Sequence, residues 1–223
     1  MIKKKINLGI IGLGQIGSRL YKEIVAKKTD IELKTGSQVN IIALSAKNYK
    51  KKRNFKFNKN IFYKNSLSIT KDPRIDIVFE LIGLSDGISK KIIETALKNK
   101  KHVITANKAV IAKHGDYLSL LAEKNKVNLE FEAAVGGGIP VLRTIKDGLS
   151  TNKIRKVVGI LNGTCNYILS EMETSRDSFK NVLKRAQSLG YAEPRDPKFD
   201  LNGSDTLAKV RILSALAFNK KIS

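Results

Sequence analysis

Short runs of hydrophobic residues alternate with longer amphipathic stretches over the first part of the chain. The short runs predict β-strands at residues 6–11, 39–44, 75–82, 102–105 and 127–131. The amphipathic stretches predict helices that end near Lys28 and that cover residues 85–99 and 109–124, with Ser85 or Asp86 as the N-cap of the second. This alternation is typical of a parallel sheet with crossover helices, so we expect an α/β fold.

The turn after the first predicted strand reads G-L-G-Q-I-G (residues 12–17). Gly12 permits a tight turn, Gly14 lets the backbone approach a pyrophosphate, and Gly17 allows the helix to pack closely on the strand. The amides of Gln15 and Ile16 then lie at a helix N-terminus, which favours a negative charge. The turn therefore predicts a Rossmann-type dinucleotide-binding domain over residues 1–134. The alternative is a glycine turn that only connects two elements.

Beyond residue 134 the pattern changes. Residues 136–140 read G-G-G-I-P and predict a flexible hinge. The segments that follow predict a helix at 141–149, a strand at 154–161, and helices at 166–173 and 178–189. We therefore expect a second, smaller α+β domain over residues 135–223.

Asp205 and Lys209 are four positions apart at the start of a further predicted helix, which is marked by Leu207, Val210 and Leu213. At this spacing a carboxylate and an ammonium project from the same side of the first turn. Such a pair can steer a proton when it lies beside a substrate. The alternative is an ordinary helix ion pair worth a few tenths of a kcal/mol.

The chain is strongly basic, with 42 lysines and arginines against 20 acidic residues and a formal charge of +22. An excess of this size points to nucleic acid or another anionic surface as a partner. However, lysines are scattered through every segment, and the only dense run covers residues 47–53. A general bias towards lysine explains the dispersed part. We expect no nucleic-acid partner, and a basic nucleic-acid-binding protein remains the alternative.

The sequence contains no apolar run of about 18 residues, the length that predicts a membrane span. Residues 1–5 lead into a predicted strand rather than an export signal, so we expect a cytoplasmic protein. The single cysteine, Cys165, excludes internal disulfides, and two histidines are too few for a His/Cys metal cluster. We interpret Cys165 as a packing residue rather than a nucleophile.

The second predicted strand ends A-L-S-A-K (residues 43–47), without the carboxylate that usually binds the ribose hydroxyls of NAD. Cations follow in the dense run instead. This composition favours NADP over NAD, with NAD as a possible cofactor. The alternative is a solvated basic loop.

Several motifs together resemble those of homoserine dehydrogenases. They occupy residues 12–17, 105–108 (T-A-N-K), 132–140, 159–167 (G-I-L-N-G-T-C-N-Y) and 186–209. The resemblance covers essentially the whole chain. It implies hydride exchange between a nicotinamide ring and the aldehyde carbon of L-aspartate 4-semialdehyde, which gives L-homoserine, a step in threonine and methionine biosynthesis.

The resemblance also implies roles for individual residues. Lys209 matches the proton donor, and Asp205 would orient and stabilise its ammonium. Lys108 matches a group near both the nicotinamide and the substrate, Glu193 would hold the substrate's amino group, and Ser85 lies near the cofactor. As hydride reaches the carbonyl carbon, negative charge grows on the oxygen, which explains why lysines are needed.

A monovalent cation, commonly sodium, is bound in the family by main-chain oxygens of the hinge. The matching positions are Glu132, Val135, Gly137 and Ile139. Only backbone is needed there, so side-chain differences matter little.

The departure from the family is length, because its members continue past the helix that ends near Phe218. The resemblance therefore implies that the second domain is incomplete here and that a homodimer forms in the full-length protein. An exposed sheet edge would then weaken stability and cofactor closure. A nucleotide-binding remnant without turnover is the alternative to an active enzyme.

Overall fold

The computed structural model describes residues 4–192 and 198–220, apart from the side chain of Phe199. The chain divides into two compact units, Met1–Gly137 and Gly138–Ser223. Each unit has its own cluster of buried hydrophobic residues.

The first unit is built on a five-stranded parallel sheet with the order β2-β1-β3-β4-β5. The strands are β1 (Lys4–Ile11), β2 (Ser37–Ser45), β3 (Ile77–Glu80), β4 (His102–Thr105) and β5 (Leu129–Glu130). The five strands and the α/β class predicted from the hydrophobic runs are confirmed. Because the chain moves from β1 to β2 on one side and to β3 on the other, a crevice opens at the carboxyl ends of β1 and β3.

Five helices of the first unit connect these strands: α1 (Gln15–Ala26), α2 (Lys28–Thr35), α3 (Ser66–Lys71), α4 (Ile88–Lys98) and α5 (Lys108–Lys124). A short 3₁₀ turn (Lys59–Ile61) precedes α3, and a second (Glu132–Ala134) follows β5. The helix predicted to end near Lys28 is confirmed as α1, which ends at Ala26 because the backbone leaves the helical region at Lys27. The hydrophobic pattern did not predict α2, which buries none of its residues.

The N-cap predicted for α4 is wrong. The helix begins at Ile88, and its N-cap is Gly87, with φ 64° and no side-chain hydrogen bond. Asp86 does not cap the helix, because its carboxylate contacts Lys113 and His114 of α5 instead.

The core of the first unit lies on both faces of the central strands, as expected where helices cover a parallel sheet. Ile10, Val78 and Val103 of β1, β3 and β4 are fully buried, as are Ile92 of α4 and Leu118 of α5. This packing fixes the carboxyl ends of β1, β3 and β4 relative to each other.

The described part of the second unit is helical or irregular. It contains α6 (Val141–Arg143), a π-helical turn (Thr144–Gly148), α7 (Gly163–Ser175), α8 (Phe179–Ser188), α9 (Lys198–Leu201) and α10 (Ser204–Phe218). The predictions of α7, α8 and α10 are confirmed, although α7 begins three residues before the predicted start at 166, with Gly163 as its first residue.

The strand predicted at residues 154–161 is not formed. None of the other described residues of the second unit is in a strand, so this segment has no neighbouring strand among them to pair with. Its hydrophobic side chains at Val158 and Ile160 are 78% and 74% exposed. A run of hydrophobic residues is compatible with a strand, but a strand also needs a neighbouring strand to pair with.

Within the described ranges, the helices are too short or too polar for any of them to cross a membrane.

Candidate active site

The glycine turn between β1 and α1 has the geometry that a dinucleotide site requires. Gly12 has φ 99°, and a Cβ there would lie 2.5 Å from the carbonyl oxygen of Leu81. A Cβ at Gly17 would overlap the carbonyl oxygen of Gly12. At Gly14, in contrast, a Cβ would meet nothing within 4 Å. Gly12 and Gly17 therefore serve the fold, while Gly14 borders open space.

The start of α1 fits the pyrophosphate of a dinucleotide. The N-cap is Gly14, so no side chain caps the start of the helix. Gln15 and Ile16 are its first residues. Backbone N–H groups in the first turn of a helix lack partners within the helix and favour an anion. Open space at Gly14 gives such a group access to these amides, so the residues present fit the cofactor.

Ser85 and Lys108 lie on the loops that follow β3 and β4. Ser85 is exposed, and its hydroxyl lies 3.4 Å from the Asp86 carboxylate. Lys108 is the first residue of α5 and is half-buried, and Asn107 before it caps the helix by accepting a hydrogen bond from the amide of Val110 at 3.2 Å. Both predicted cofactor residues therefore belong to the same edge of the sheet as the glycine turn.

The loop that carries Ser85 is tied to α5 by ionic contacts. Asp86 contacts Lys113 Nζ at 2.5 Å and His114 Nε2 at 2.7 Å. Hydrogen bonds from Lys113 and then His114 lower the pKa of Asp86 to about 2. The loop thus depends on a carboxylate that stays ionised well into the acid range.

The basic run after β2 is only partly available to a ligand. Arg53 donates hydrogen bonds to the carbonyl oxygens of Asn48 (2.8 Å), Lys51 (3.0 Å) and Tyr49 (3.3 Å), so its guanidinium holds the loop in shape. Lys47 is exposed just beyond the end of β2.

In the second unit, the predicted Asp205–Lys209 pair is formed. Lys209 Nζ lies 2.7 Å from Asp205 Oδ2 and donates a second hydrogen bond to the carbonyl oxygen of Leu161 at 2.7 Å. The Asp205 side chain is only 6% exposed and that of Lys209 19%. This burial separates the pair from the ordinary exposed helix ion pair that the spacing alone allowed.

Three further residues complete this cluster, and the sequence analysis did not single them out as site residues. The amide of Asn162 donates to Asp200 Oδ1 at 2.9 Å and to Asp205 Oδ2 at 3.0 Å. The hydroxyl of Thr164 donates to the carbonyl oxygen of Tyr191 at 2.6 Å and lies 3.2 Å from Asp200 Oδ2. The sequence offered only one local indication of this cluster, which is that an asparagine at position 162 suits the N-cap of α7.

Cys165 follows this cap, and its environment agrees with a packing role. Burial, then Asp200 and Asp205, raise the pKa of the Cys165 thiol, so the helix start does not activate it. A thiol that stays protonated is a poor nucleophile.

The remaining predicted site residues are placed as follows. Glu193 lies outside the described residues.

Of the predicted cation ligands, Glu132 begins a 3₁₀ turn and its carbonyl accepts a hydrogen bond from the amide of Val135 at 3.3 Å. The Ile139 carbonyl accepts one from the amide of Val141 at 2.8 Å. Gly137 ends the first unit. A carbonyl oxygen has two lone pairs, so one hydrogen bond leaves room for a cation. Over the described residues, no group of three His, Cys, Asp or Glu side chains could hold a metal ion.

The parallel sheet with its glycine turn defines a dinucleotide-binding α/β protein, and comparisons with known proteins narrow the class. The family profile described as "Homoserine dehydrogenase, NAD binding domain" matches residues 12–132. The profile described as "Homoserine dehydrogenase" matches residues 140–223. The chain therefore belongs to the homoserine dehydrogenase family.

Individual relatives support the same family membership. The homoserine dehydrogenase of Neisseria gonorrhoeae is 40% identical over 96% of this chain and 49% of its own length, and that of Bacillus subtilis is 38% identical over 98% and 50%. The crystal structure of a homoserine dehydrogenase from Thiobacillus denitrificans is 38% identical, with a TM-score of 0.90 over 99% of this chain and 51% of that chain. The chain spans about half the length of these relatives.

The first prediction separates the two uses of glycine in the turn. Gly17→Ala should lower the free energy of unfolding by about 1–3 kcal/mol, because the new methyl group overlaps a backbone oxygen. Gly14→Ala should leave the unfolding temperature nearly unchanged, since Gly14 has φ −76° and open space around it. Its methyl group should nevertheless weaken dinucleotide binding about tenfold or more by filling the space the pyrophosphate needs. Thermal unfolding and fluorescence titration with a reduced dinucleotide measure the two effects. Equal affinity for Gly14→Ala and the unmodified chain would contradict this assignment.

The second prediction concerns acid. The folded-state pKa of Asp86 lies below its ordinary value, so its stabilisation is present above about pH 4 and is lost as the pH falls towards 2. The difference in unfolding free energy between the unmodified chain and Asp86→Asn should therefore shrink between pH 6 and pH 3, measured by urea unfolding. Asp116→Asn, which replaces an exposed carboxylate on α5, is the control. A pH-independent difference for Asp86→Asn would show that its ion pairs add no stability.

Proposed function

We propose that this chain carries the dinucleotide-binding and proton-transfer parts of a homoserine dehydrogenase. The proposed reaction is the NADP-dependent interconversion of L-homoserine and L-aspartate 4-semialdehyde. The observation that carries the proposal is the buried Asp205–Lys209 pair, which is joined through Asn162 to Asp200. Family membership and the glycine turn support the same reaction.

A bound nicotinamide would accept or supply the hydride. Lys209 would exchange the proton at the substrate oxygen, giving it as the aldehyde is reduced and taking it as the alcohol is oxidised. An ammonium has three N–H donors, and among the described residues Asp205 and Leu161 take two of them. Asp205 holds the nitrogen in place and compensates its charge, which keeps the ammonium aimed while the proton moves.

The substrate carries an amino group and a carboxylate besides the reacting carbon. Glu193 is proposed to bind the amino group through a charge-assisted hydrogen bond. Asp200, which shares the Asn162 amide with Asp205, is proposed as a second carboxylate that could accept a hydrogen bond from this amino group. Lys108 is proposed to lie near nicotinamide and substrate, where its charge would stabilise the growing negative charge on oxygen. Ser85 is proposed to contact the cofactor from the loop after β3.

A monovalent cation, sodium in our proposal, would bind the carbonyl oxygens of Glu132, Val135, Gly137 and Ile139. Oxygen donors of this kind suit hard cations. A cytoplasmic location and a homodimer of the full-length protein belong to the same proposal. The single cysteine is compatible with a reducing compartment.

The third prediction tests the reaction. The chain with L-homoserine and NADP should show the rise in absorbance of a reduced nicotinamide, and Lys209→Ala should lower kcat by about 10²–10⁴-fold, the range for a lost proton-transfer group. Lys180→Ala, which removes an exposed lysine from α8, is the matched control and should retain full activity.

Three outcomes are informative. Cofactor binding without turnover in the unmodified chain would select the nucleotide-binding remnant. Equal loss in Lys209→Ala and Lys180→Ala would contradict the role of Lys209. Turnover unaffected by Lys209→Ala would overturn the mechanism.

The fourth prediction concerns the choice of cofactor. The end of β2 lacks a carboxylate, and Lys47 is exposed next to it, so a 2′-phosphate meets a cation rather than an anion there. Lys47→Gln should weaken NADPH binding several-fold and leave NADH binding unchanged. Lys124→Gln, which replaces an exposed lysine at the C-terminal end of α5, is the control. Titration of each variant with both reduced dinucleotides is the measurement, and equal effects on NADPH and NADH would contradict the assignment.

A further inference from the structure

A carboxylate is buried at the carboxyl end of β3, outside the groups used above. Glu80 is the last residue of the strand and is fully buried. Its Oε1 accepts a hydrogen bond from the amide of Ile82 at 3.0 Å, and its Oε2 accepts one from the hydroxyl of Thr105 at 2.8 Å. Burying a carboxyl group is unfavourable unless its oxygens are hydrogen-bonded, so these two contacts are what make the position tolerable.

The hydrogen bonds continue from Glu80 into the start of α5. The Thr105 hydroxyl accepts from the amide of Asn107 at 3.0 Å. The Asn107 side chain donates to the carbonyl oxygen of Leu84 at 2.8 Å and accepts from the amide of Val110 at 3.2 Å. The hydrogen bonds therefore run from the end of β3 to the end of β4, and from the start of α5 back to the loop after β3.

The two loops joined in this way border the proposed cofactor crevice. The carbonyl of Leu81, next to Glu80, lies against Gly12 in the glycine turn. Lys108, next to Asn107, begins α5. A shift of either loop would change the wall of the crevice or the position of Lys108.

We propose that Glu80, Thr105 and Asn107 form a positioning network that holds the loops after β3 and β4 in the conformation that binds the dinucleotide. The network acts through Leu81 and Lys108 and touches no reacting atom itself. This inference rests on the proposed function, because it names what keeps that site preorganised. Preorganised loops bind more tightly because less order has to be imposed on binding.

The test uses substitutions that keep shape and remove one hydrogen-bonding group. Thr105→Val deletes the hydroxyl that joins the two loops, and Glu80→Gln replaces one acceptor oxygen by an amide that cannot accept. Thr105→Ser keeps the hydroxyl and serves as the rescue variant. Thr70→Val is the matched control, because Thr70 is also fully buried and its hydroxyl donates to the carbonyl of Leu67 within α3 at 2.8 Å.

Two quantities are measured for each variant: the dissociation constant for NADPH by fluorescence titration, and the thermal unfolding temperature. Thr105→Val and Glu80→Gln should raise the dissociation constant about tenfold, as expected when a positioned hydrogen bond is lost from a binding conformation. Thr105→Ser should bind as the unmodified chain does. Thr70→Val should lower the unfolding temperature as much as Thr105→Val while its dissociation constant stays unchanged.

The outcomes distinguish this inference from the proposed function. If the unmodified chain binds no dinucleotide, the proposed function fails first. If it binds and the Thr105→Val and Glu80→Gln variants bind equally well, the positioning network is refuted while the proposed function stands. A Thr105→Ser variant as weak as Thr105→Val would also refute it, because packing rather than the hydroxyl would then be responsible.

Discussion

The side-chain amide of Asn162 keeps two carboxylates, Asp200 and Asp205, within hydrogen-bonding distance of one nitrogen. Neighbouring carboxylates disfavour each other's ionised form unless positive charge or hydrogen-bond donors compensate. The amide provides two donors, and Lys209 adds a cation 2.7 Å from Asp205. The proton transfer proposed for the second unit depends on this arrangement, because it joins the lysine and both carboxylates in one hydrogen-bonded cluster.

In the first unit, too, carboxylates are held by hydrogen-bond donors, but here they fix the loops at the carboxyl edge of the sheet. Glu80 is fully buried yet hydrogen-bonded, and Asp86 is exposed enough to pair with Lys113 and His114. Each carboxylate ties a loop at the carboxyl edge of the sheet to a neighbouring element. The strands fix where these loops begin, and the side-chain contacts then fix the shape of the loops themselves.

Contacts of local origin could be predicted from the sequence, and contacts between distant segments could not. The glycine turn, the five strands and the Asp205–Lys209 spacing all follow from residues close together in the chain. Asn162 and Asp200, in contrast, are 38 residues apart, and nothing in either local pattern indicates that they meet. The predicted strand at residues 154–161 failed for a related reason, since the segment is rich in hydrophobic residues but a strand also requires a partner strand elsewhere in the chain. The cap at Ser85 or Asp86 failed because the helix begins later, at Ile88, and the Asp86 carboxylate contacts Lys113 and His114 of α5, which are distant in sequence.

The positioning contacts of each unit lie within that unit. Every hydrogen bond described around the glycine turn, Glu80 and Asp86 joins residues of Met1–Gly137, and every bond of the Asn162 cluster joins residues of Gly138–Ser223. Substitutions without shared partners act on stability nearly additively. Changes at Thr105 should therefore appear in cofactor affinity, and changes at Lys209 in the chemical step, with little coupling between them. In the proposed function, dinucleotide binding and proton transfer would therefore be maintained by separate sets of contacts.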